Sequence, residues 1–231
     1  MTKRYTLRVC VVAAALLAAG VAAHGDIIYD NGEPDLQVGW FSDSGFYQRM
    51  ADDFVLAEGN NVLTDIHWYG FFWPASPMPD ATEFLISIFT STGDPGIPDS
   101  VVWETTSVVA RQSTGLVMDW SAFIDYDVAV FGYEYVLETP LVLNAGQTYF
   151  LAVCAQPSGL DGVHWAWCNA GYGAGAYDDG LYGWSSASSE LAFYLTGGAS
   201  KGEGVVPEPT TLSLLGLGMV GLVVRRLRGR N

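Results

Sequence analysis

The 231-residue chain has little positive charge and only three cysteines. Ten lysine and arginine residues stand against 25 aspartate and glutamate residues, and seven of the ten lie before residue 24 or after residue 204. Residues 24–204 therefore hold 24 acidic side chains against three basic ones, Arg49, Arg111 and Lys201. A surface this acidic repels phosphate backbones, so nucleic acid is not expected as a partner.

Local signatures of catalysis are also scarce. The chain has neither a phosphate-binding G-x-x-x-x-G-K-[ST] loop nor the H-E-x-x-H pair of zinc peptidases. Carboxylates are abundant, and a glycosidase pair is defined by its separation in space, so a secreted carbohydrate-active hydrolase stays open as the alternative function. Glu83, Glu104 and Glu134 lie on predicted strands and are its first candidates. The simpler interpretation of each is a polar residue on the outer face of a strand, and we expect no catalytic function.

Both ends of the chain have the composition of targeting segments. Residues 1–23 are predicted to be a secretory signal peptide, because three basic residues precede an apolar run over residues 9–19 and small residues 21–23 offer a cleavage point. The other end begins with Pro207, Glu208 and Pro209. An apolar run over residues 212–224 follows, and then a basic cluster of Arg225, Arg226, Arg228 and Arg230.

The apolar run of the tail predicts a short transmembrane helix. Its 13 residues would extend about 20 Å as a helix, against about 30 Å for a hydrocarbon core. The arginines would stay on the cytoplasmic side and leave the Pro-Glu-Pro segment outside the bilayer. An ordinary short C-terminal anchor is the alternative interpretation.

The order Pro-Glu-Pro, apolar run and arginine cluster resembles the PEP-CTERM sorting signal of exported bacterial proteins. The resemblance implies that an exosortase-type membrane protease recognises Pro207, Glu208 and Pro209 and processes the chain. It also implies export across the cytoplasmic membrane and anchoring in the inner membrane before processing. The mature protein would then reside in the cell envelope or outside the cell.

Residues 24–200 predict one all-β domain, joined to the tail by a linker over residues 201–206. Short runs rich in Val, Ile, Phe, Tyr and Trp recur between Gly, Pro, Asn and Asp, with no sustained helical period. One run places Phe84, Ile86 and Ile88 on a single face of a strand. Many short strands without helices predict an antiparallel β-sandwich of jelly-roll type.

Three segments of this domain resemble an uncharacterised β-sandwich domain found in many bacterial proteins that carry the same tail. The segments are DDFVL (52–56), TDIHWYG (64–70) and LNAGQTYFLAV (143–153). The resemblance implies a fold and a location at the cell surface. It assigns no catalytic residues.

Two cysteines remain once the predicted signal peptide is removed. Cys154 and Cys168 flank a predicted hairpin whose turn is Pro157–Gly162, and an even pair in an oxidising compartment predicts a disulfide. Closing this loop would contribute about 3 kcal/mol in the chain-entropy model. The alternative is a Cys168 nucleophile with His164 as its base.

A glycine-rich segment follows residue 171 and carries regularly spaced aromatic residues. Exposed rings can stack on the apolar faces of sugars, so this segment and the strand before it predict a candidate glycan-binding platform. The candidate residues are Trp165, Trp167, Tyr172, Tyr177, Tyr182 and Trp184. The alternative is a loop whose rings fold back onto the core, which we favour for the two tryptophans of the strand.

Asp178 and Asp179 could accept hydrogen bonds from sugar hydroxyls, and they are also weak candidates for calcium ligands because their oxygens are of the kind that Ca²⁺ prefers. No other cofactor is expected. The sequence as a whole predicts an exported, non-catalytic protein of the cell surface or extracellular matrix, with extracellular polysaccharide as its candidate ligand.

Overall fold

The structure is a computed structural model and describes residues 25–74, 78–92, 96–118, 127–156 and 162–198. The predicted signal peptide, linker and sorting tail, including the predicted helix over residues 212–224, lie outside these residues. Within the described residues, no helix has the length and hydropathy that a membrane crossing requires.

Fourteen β-strands account for most of the described chain, and it contains no α-helix. One turn of 3-10 helix, Ser44–Phe46, lies between the second and third strands. The strands are β1 (Asp26–Asp30), β2 (Gly39–Phe41), β3 (Arg49–Val55), β4 (Val62–Trp73), β5 (Ala81–Thr92), β6 (Ile97–Ala110), β7 (Gln112–Met118), β8 (Val128–Val142), β9 (Thr148–Ala155), β10 (His164–Gly171), β11 (Ala176–Asp178), β12 (Trp184–Ser186), β13 (Glu190–Leu191) and β14 (Phe193–Gly198).

The strands form two packed sheets, which we call the front and the back sheet. The front sheet has eight strands; β1, β14, β4, β10 and β13 follow one another, β2 adds to β10, and β8 pairs with both β4 and β7. The back sheet has six strands in the order β12, β11, β3, β9, β5, β6. All these pairings are antiparallel. The predicted all-β sandwich is confirmed, whereas the jelly-roll connectivity stays a prediction.

The core lies between the inner faces of the two sheets. As predicted, Phe84, Ile86 and Ile88 of β5 all point into it and are fully buried. Trp165 of β10 is also fully buried, and its indole ring occupies the space beside Gly70, where any side chain would overlap it. Alternate residues point inward, because successive side chains of a strand lie on opposite faces of a sheet.

Each outer face carries a smaller apolar cluster. On the front sheet, Phe71, Ala166 and Cys168 belong to such a cluster. On the back sheet, the cluster contains Phe89 of β5, whose ring contacts Trp184 of β12 at a centroid distance of 5.5 Å. These two strands are separated by three others in the sheet order, so the back sheet must curl strongly around this cluster.

The predicted disulfide between Cys154 and Cys168 is wrong, and both thiols are free. The prediction assumed that β9 and β10 form a hairpin, whereas β9 lies in the back sheet and β10 in the front sheet. Cys154 shares the outer face of β9 with Phe150 and Ala152, and Cys168 lies in the outer cluster of the front sheet. The two thiols therefore point away from each other, with both sheets between them.

Candidate functional site

A groove of about 500 Å³ lies on the outer face of the front sheet, where β14, β4, β8 and β7 run side by side. One row of neighbouring residues crosses three of these strands. Tyr194 of β14 is paired with His67 of β4, which is paired in turn with Glu134 of β8. Side chains directly opposite one another in adjacent strands share a face, so these three lie together along the groove.

The next row also crosses the groove, and its central residue, Gly132, lies at the floor. Tyr69 of β4 is paired with Gly132 of β8, which is paired with Gln112 of β7. A Cβ atom at Gly132 would have no neighbour closer than Cγ2 of Thr114 at 3.6 Å. The glycine therefore leaves a depression between polar and aromatic side chains, and a Cβ atom there would make only ordinary van der Waals contacts.

Aromatic rings line one side of the groove. The rings of His67 and Tyr194 are stacked, with centroids 4.2 Å apart and planes 6° from parallel. The ring of Tyr69 lies 6.4 Å from that of Tyr194 at an angle of 45°. Tyr194 covers His67, and His67 is only 8% exposed. Tyr194 and Tyr69 are both partly exposed. The groove thus offers aromatic surface on one side and polar side chains on the other.

The groove is electrostatically negative. Burial raises the pKa of Tyr69 to about 12, and the carboxylate of Glu33 contributes in the same direction. The pKa of Tyr194 is also raised, first by burial and then by Glu134, Glu33 and Asp30. Both phenols therefore stay neutral and can donate a hydrogen bond. No lysine or arginine is among the described residues that line the groove.

The structure removes two residues from the predicted glycan-binding platform. Trp165 and Trp167 are fully buried in the core between the sheets, and Nε1 of Trp167 donates a hydrogen bond to the carbonyl oxygen of Ala192 over 3.0 Å. The prediction that they belong to such a platform is wrong, because their strand turns both side chains toward the other sheet. Both tryptophans belong to the hydrophobic core, as the alternative interpretation of the sequence states.

The other four aromatic residues predicted for the glycan-binding platform do not lie together on a single surface. Tyr172 and Tyr182 are 97% and 86% exposed and lie on separate loops. Tyr177 lines a separate cleft of about 290 Å³ together with Trp40. The guanidinium group of Arg49 lies over the ring of Trp184, 4.8 Å from the ring centroid. That contact and the packing on the back sheet give Trp184 a structural role.

The two weak calcium candidates build the turn between β11 and β12. Asp178 forms an ion pair with Arg49 at 3.6 Å and accepts a hydrogen bond from the amide of Gly180. Asp179 accepts hydrogen bonds from the amides of Leu181 and Tyr182, which lower its pKa. Across the described ranges, no three acidic, histidine or cysteine side chains converge as a metal site.

A polar network around a buried carboxyl group joins three distant segments on the inner side of the sandwich. Nδ2 of Asn31 lies 2.7 Å from Oδ2 of Asp52 and 3.0 Å from Oε2 of Glu190. The backbone amides of Leu191 and Asp53 also donate to Asp52. Burial raises the pKa of Asp52 to about 8, although these two amides act in the opposite direction. Asp52 is fully buried, so its carboxyl group is not exposed to a substrate.

The candidate hydrolase residues are not brought together. Glu83 and Glu104 lie in the back sheet, where Oε2 of Glu104 accepts a hydrogen bond from Ser87 over 2.8 Å. Glu134 lies in the groove of the front sheet. His164 and Cys168 are four residues apart on one strand, a separation of about 13 Å, so they form no nucleophile–base pair.

The comparisons with known proteins identify both parts of the chain. Residues 28–198 match a family described as a domain of unknown function, DUF7901. The chain belongs to the DUF7901 family. Residues 205–228 match the PEP-CTERM protein-sorting motif, which confirms the predicted sorting signal and identifies an exported protein that is processed by an exosortase. The transmembrane helix within the tail stays a prediction. No curated protein and no solved structure matches the chain.

The groove of the DUF7901 domain was missed in the sequence. Its residues come mainly from five strands and span positions 25 to 196, and no short motif contains more than three of them. The alternation in His67-Trp68-Tyr69 is the one local signal, because it places two ring-bearing polar side chains on the face opposite a buried tryptophan.

Proposed function

We propose that this DUF7901 protein is a non-catalytic component of the cell surface or extracellular matrix that binds polysaccharide through the groove on its front sheet. The observation that supports the proposal is the two-row arrangement of Tyr194, His67 and Glu134 beside Tyr69, Gly132 and Gln112. Stacked rings beside hydrogen-bonding groups match the two kinds of surface that a sugar ring presents, its apolar face and its hydroxyls.

The shape of the groove favours a chain over a small enclosed ligand. It lies across the strands on an outer face and has a volume of about 500 Å³, within the usual range for ligand sites. Its floor at Gly132 lies between the aromatic side at Tyr69 and the polar side at Gln112. A polysaccharide could therefore stack on one side and form hydrogen bonds on the other.

The charge of the groove favours an uncharged polysaccharide. Glu134 lies in the groove, and Glu33 and Asp30 act on its tyrosines, so a uronate or sulfate group would meet like charge. Neutral tyrosine hydroxyls and carboxylates can respectively donate to and accept from sugar hydroxyls. The net negative charge of the whole domain acts in the same direction.

Affinity electrophoresis of the exported protein through gels that contain different polysaccharides tests this function. The panel should pair uncharged glucans, mannans and galactans with alginate and pectate as polyanionic counterparts. We expect retardation by at least one uncharged polysaccharide and at least a tenfold loss of affinity in Tyr69→Ala and Tyr194→Ala. Tyr172→Ala is the matched control, because this ring is exposed outside the groove.

Three outcomes would contradict the proposal. Equal retardation of the wild type and Tyr194→Ala would mean that polysaccharide binding does not depend on the groove. Loss of binding in Tyr172→Ala and Tyr182→Ala alone would favour the glycine-rich segment instead. Turnover of chromogenic glycosides that a single Glu134→Gln change abolishes would favour the hydrolase.

A further inference from the structure

Strand β6 forms an edge of the back sheet and is long for an edge strand. It has 14 residues, and its pairing with β5 is regular from Trp103 to Ala110, with a bulge at Val102. Among the described residues, no strand pairs with its other edge. An open edge exposes a row of backbone amides and carbonyls that another strand can pair with.

The usual protection of an edge is weak here. Charged residues and prolines normally discourage pairing, and β6 has Pro98 and Asp99 only at its beginning. Residues 101–110 contain one charge, Glu104, in a domain with 24 acidic side chains. That carboxylate is held by the hydroxyl of Ser87 at 2.8 Å. Three valines of the strand are exposed by more than 40%, namely Val101, Val102 and Val108.

The sequence of this edge is nearly self-complementary. Residues 101–109 are VVWETTSVV, so a pair of valines stands at each end and threonine at the centre. Two antiparallel copies centred on Thr105 would place Glu104 opposite Thr106 and Trp103 opposite Ser107. The valine pairs at the two ends would then be opposite each other. Such β-branched cross-strand pairs are favourable, and no like charges are opposed.

We propose that two copies of this protein associate through their β6 edges, antiparallel and centred on Thr105. A two-fold interface requires that each residue face the same partner in both copies, which this register satisfies. The result would be one continuous sheet of twelve strands. Because residues 101–110 carry a single charge, a second copy can approach this edge with little electrostatic repulsion. This inference does not depend on the proposed polysaccharide binding.

A cysteine trap on the full-length exported protein tests the register. Thr105→Cys places two thiols across the two-fold axis, whereas Val108→Cys places its two thiols about 20 Å apart, six residue steps along the strand. The native Cys154 and Cys168 are buried and do not interfere. Under mild oxidation, we expect Thr105→Cys to form a covalent dimer. The yield of covalent dimer from Val108→Cys should be at least tenfold lower.

Sedimentation of uncrosslinked protein gives a second readout. Thr105→Lys should weaken the dimer at least tenfold, because it opposes two ammonium groups at the axis, while Thr139→Lys on an exposed position of β8 should not. A protein that stays monomeric at high concentration would overturn the proposal. So would an association that survives Thr105→Lys, or equal crosslinking of Thr105→Cys and Val108→Cys.

Discussion

Cys154 and Cys168 lie on opposite outer faces of the sandwich, one in each sheet. Both thiols are buried, and burial raises the pKa of Cys154 to about 12 and raises the pKa of Cys168 as well. The two cysteines therefore form no disulfide that would stabilise the fold, and neither thiol has the lowered pKa of a reactive cysteine.

The exported protein should therefore contain two free thiols. We expect two alkyl groups per chain after denaturation without reductant and slow alkylation in the native state, measured by intact mass. Reductant should not change the melting temperature. A mass that shows no alkylation until reductant is added would contradict this arrangement.

The buried carboxyl of Asp52 predicts a pH dependence of stability. Its folded pKa of about 8 exceeds the unfolded value near 3.8. The folded state therefore holds the proton more tightly than the unfolded state. The contribution of this proton to the free energy of unfolding is complete below about pH 4 and is lost as the pH rises to about 8. Unfolding free energy should fall by up to about 1.4 kcal/mol per pH unit within this window.

Denaturant titrations of wild type and Asp52→Asn between pH 5 and 8 measure this effect. The variant should show a flatter dependence, because its side chain does not ionise. Asp26→Asn, which changes an exposed carboxyl on β1, is the control and should leave the slope unchanged. Parallel curves for wild type and Asp52→Asn would count against a protonated Asp52.

Packing of Gly70 against Trp165 predicts a large cost for a small substitution. A methyl group at Gly70 would overlap the indole ring, which is fully buried and cannot move aside freely. Gly70→Ala should lower the unfolding free energy by about 1–3 kcal/mol. Gly132→Ala, on the neighbouring strand with ordinary contact distances, should change it by less than about 0.5 kcal/mol.

Chemical denaturation of both glycine variants provides the measurement. Equal stability of Gly70→Ala and Gly132→Ala would mean that the indole ring does not occupy the space beside Gly70. The same pair separates the core from the groove, because the two glycines lie on neighbouring strands but line opposite sides of the front sheet.

The strand pattern of this protein was largely predictable because it depends on local alternation. Phe84, Ile86 and Ile88 show the period of two directly, and all three are in the core. The pairing of strands was less predictable, because a turn signal does not specify which sheet the next strand joins. The error at Cys154 and Cys168 follows from that ambiguity.

The candidate site depends even more on long-range pairing. Tyr194 lies 127 positions after His67, yet β14 and β4 are neighbours in the front sheet. The aromatic residues that are conspicuous in the sequence, Trp165 and Trp167, are buried, because aromatic side chains contribute as much to cores as to binding surfaces.

The sorting motif predicts that processing depends on the residues before the predicted membrane helix. Glu208→Ala removes the central residue of the Pro-Glu-Pro segment, and we expect the unprocessed precursor to accumulate in cells that contain an exosortase. Glu203→Ala removes a nearby carboxylate outside the match region and should be processed normally. Immunoblots of membrane and external fractions would show the difference, and normal processing of Glu208→Ala would contradict recognition of the motif.

Hydrogen exchange with mass spectrometry locates polysaccharide binding on the protein and so tests whether the groove on the front sheet is the binding site. With a retained uncharged polysaccharide, we expect slower exchange in β4 around His67 and Tyr69, in β8 around Gly132, and in β14 around Tyr194. Peptides over residues 171–186 should exchange at unchanged rates. Protection confined to residues 171–186, with none in β4, β8 or β14, would contradict polysaccharide binding in the groove.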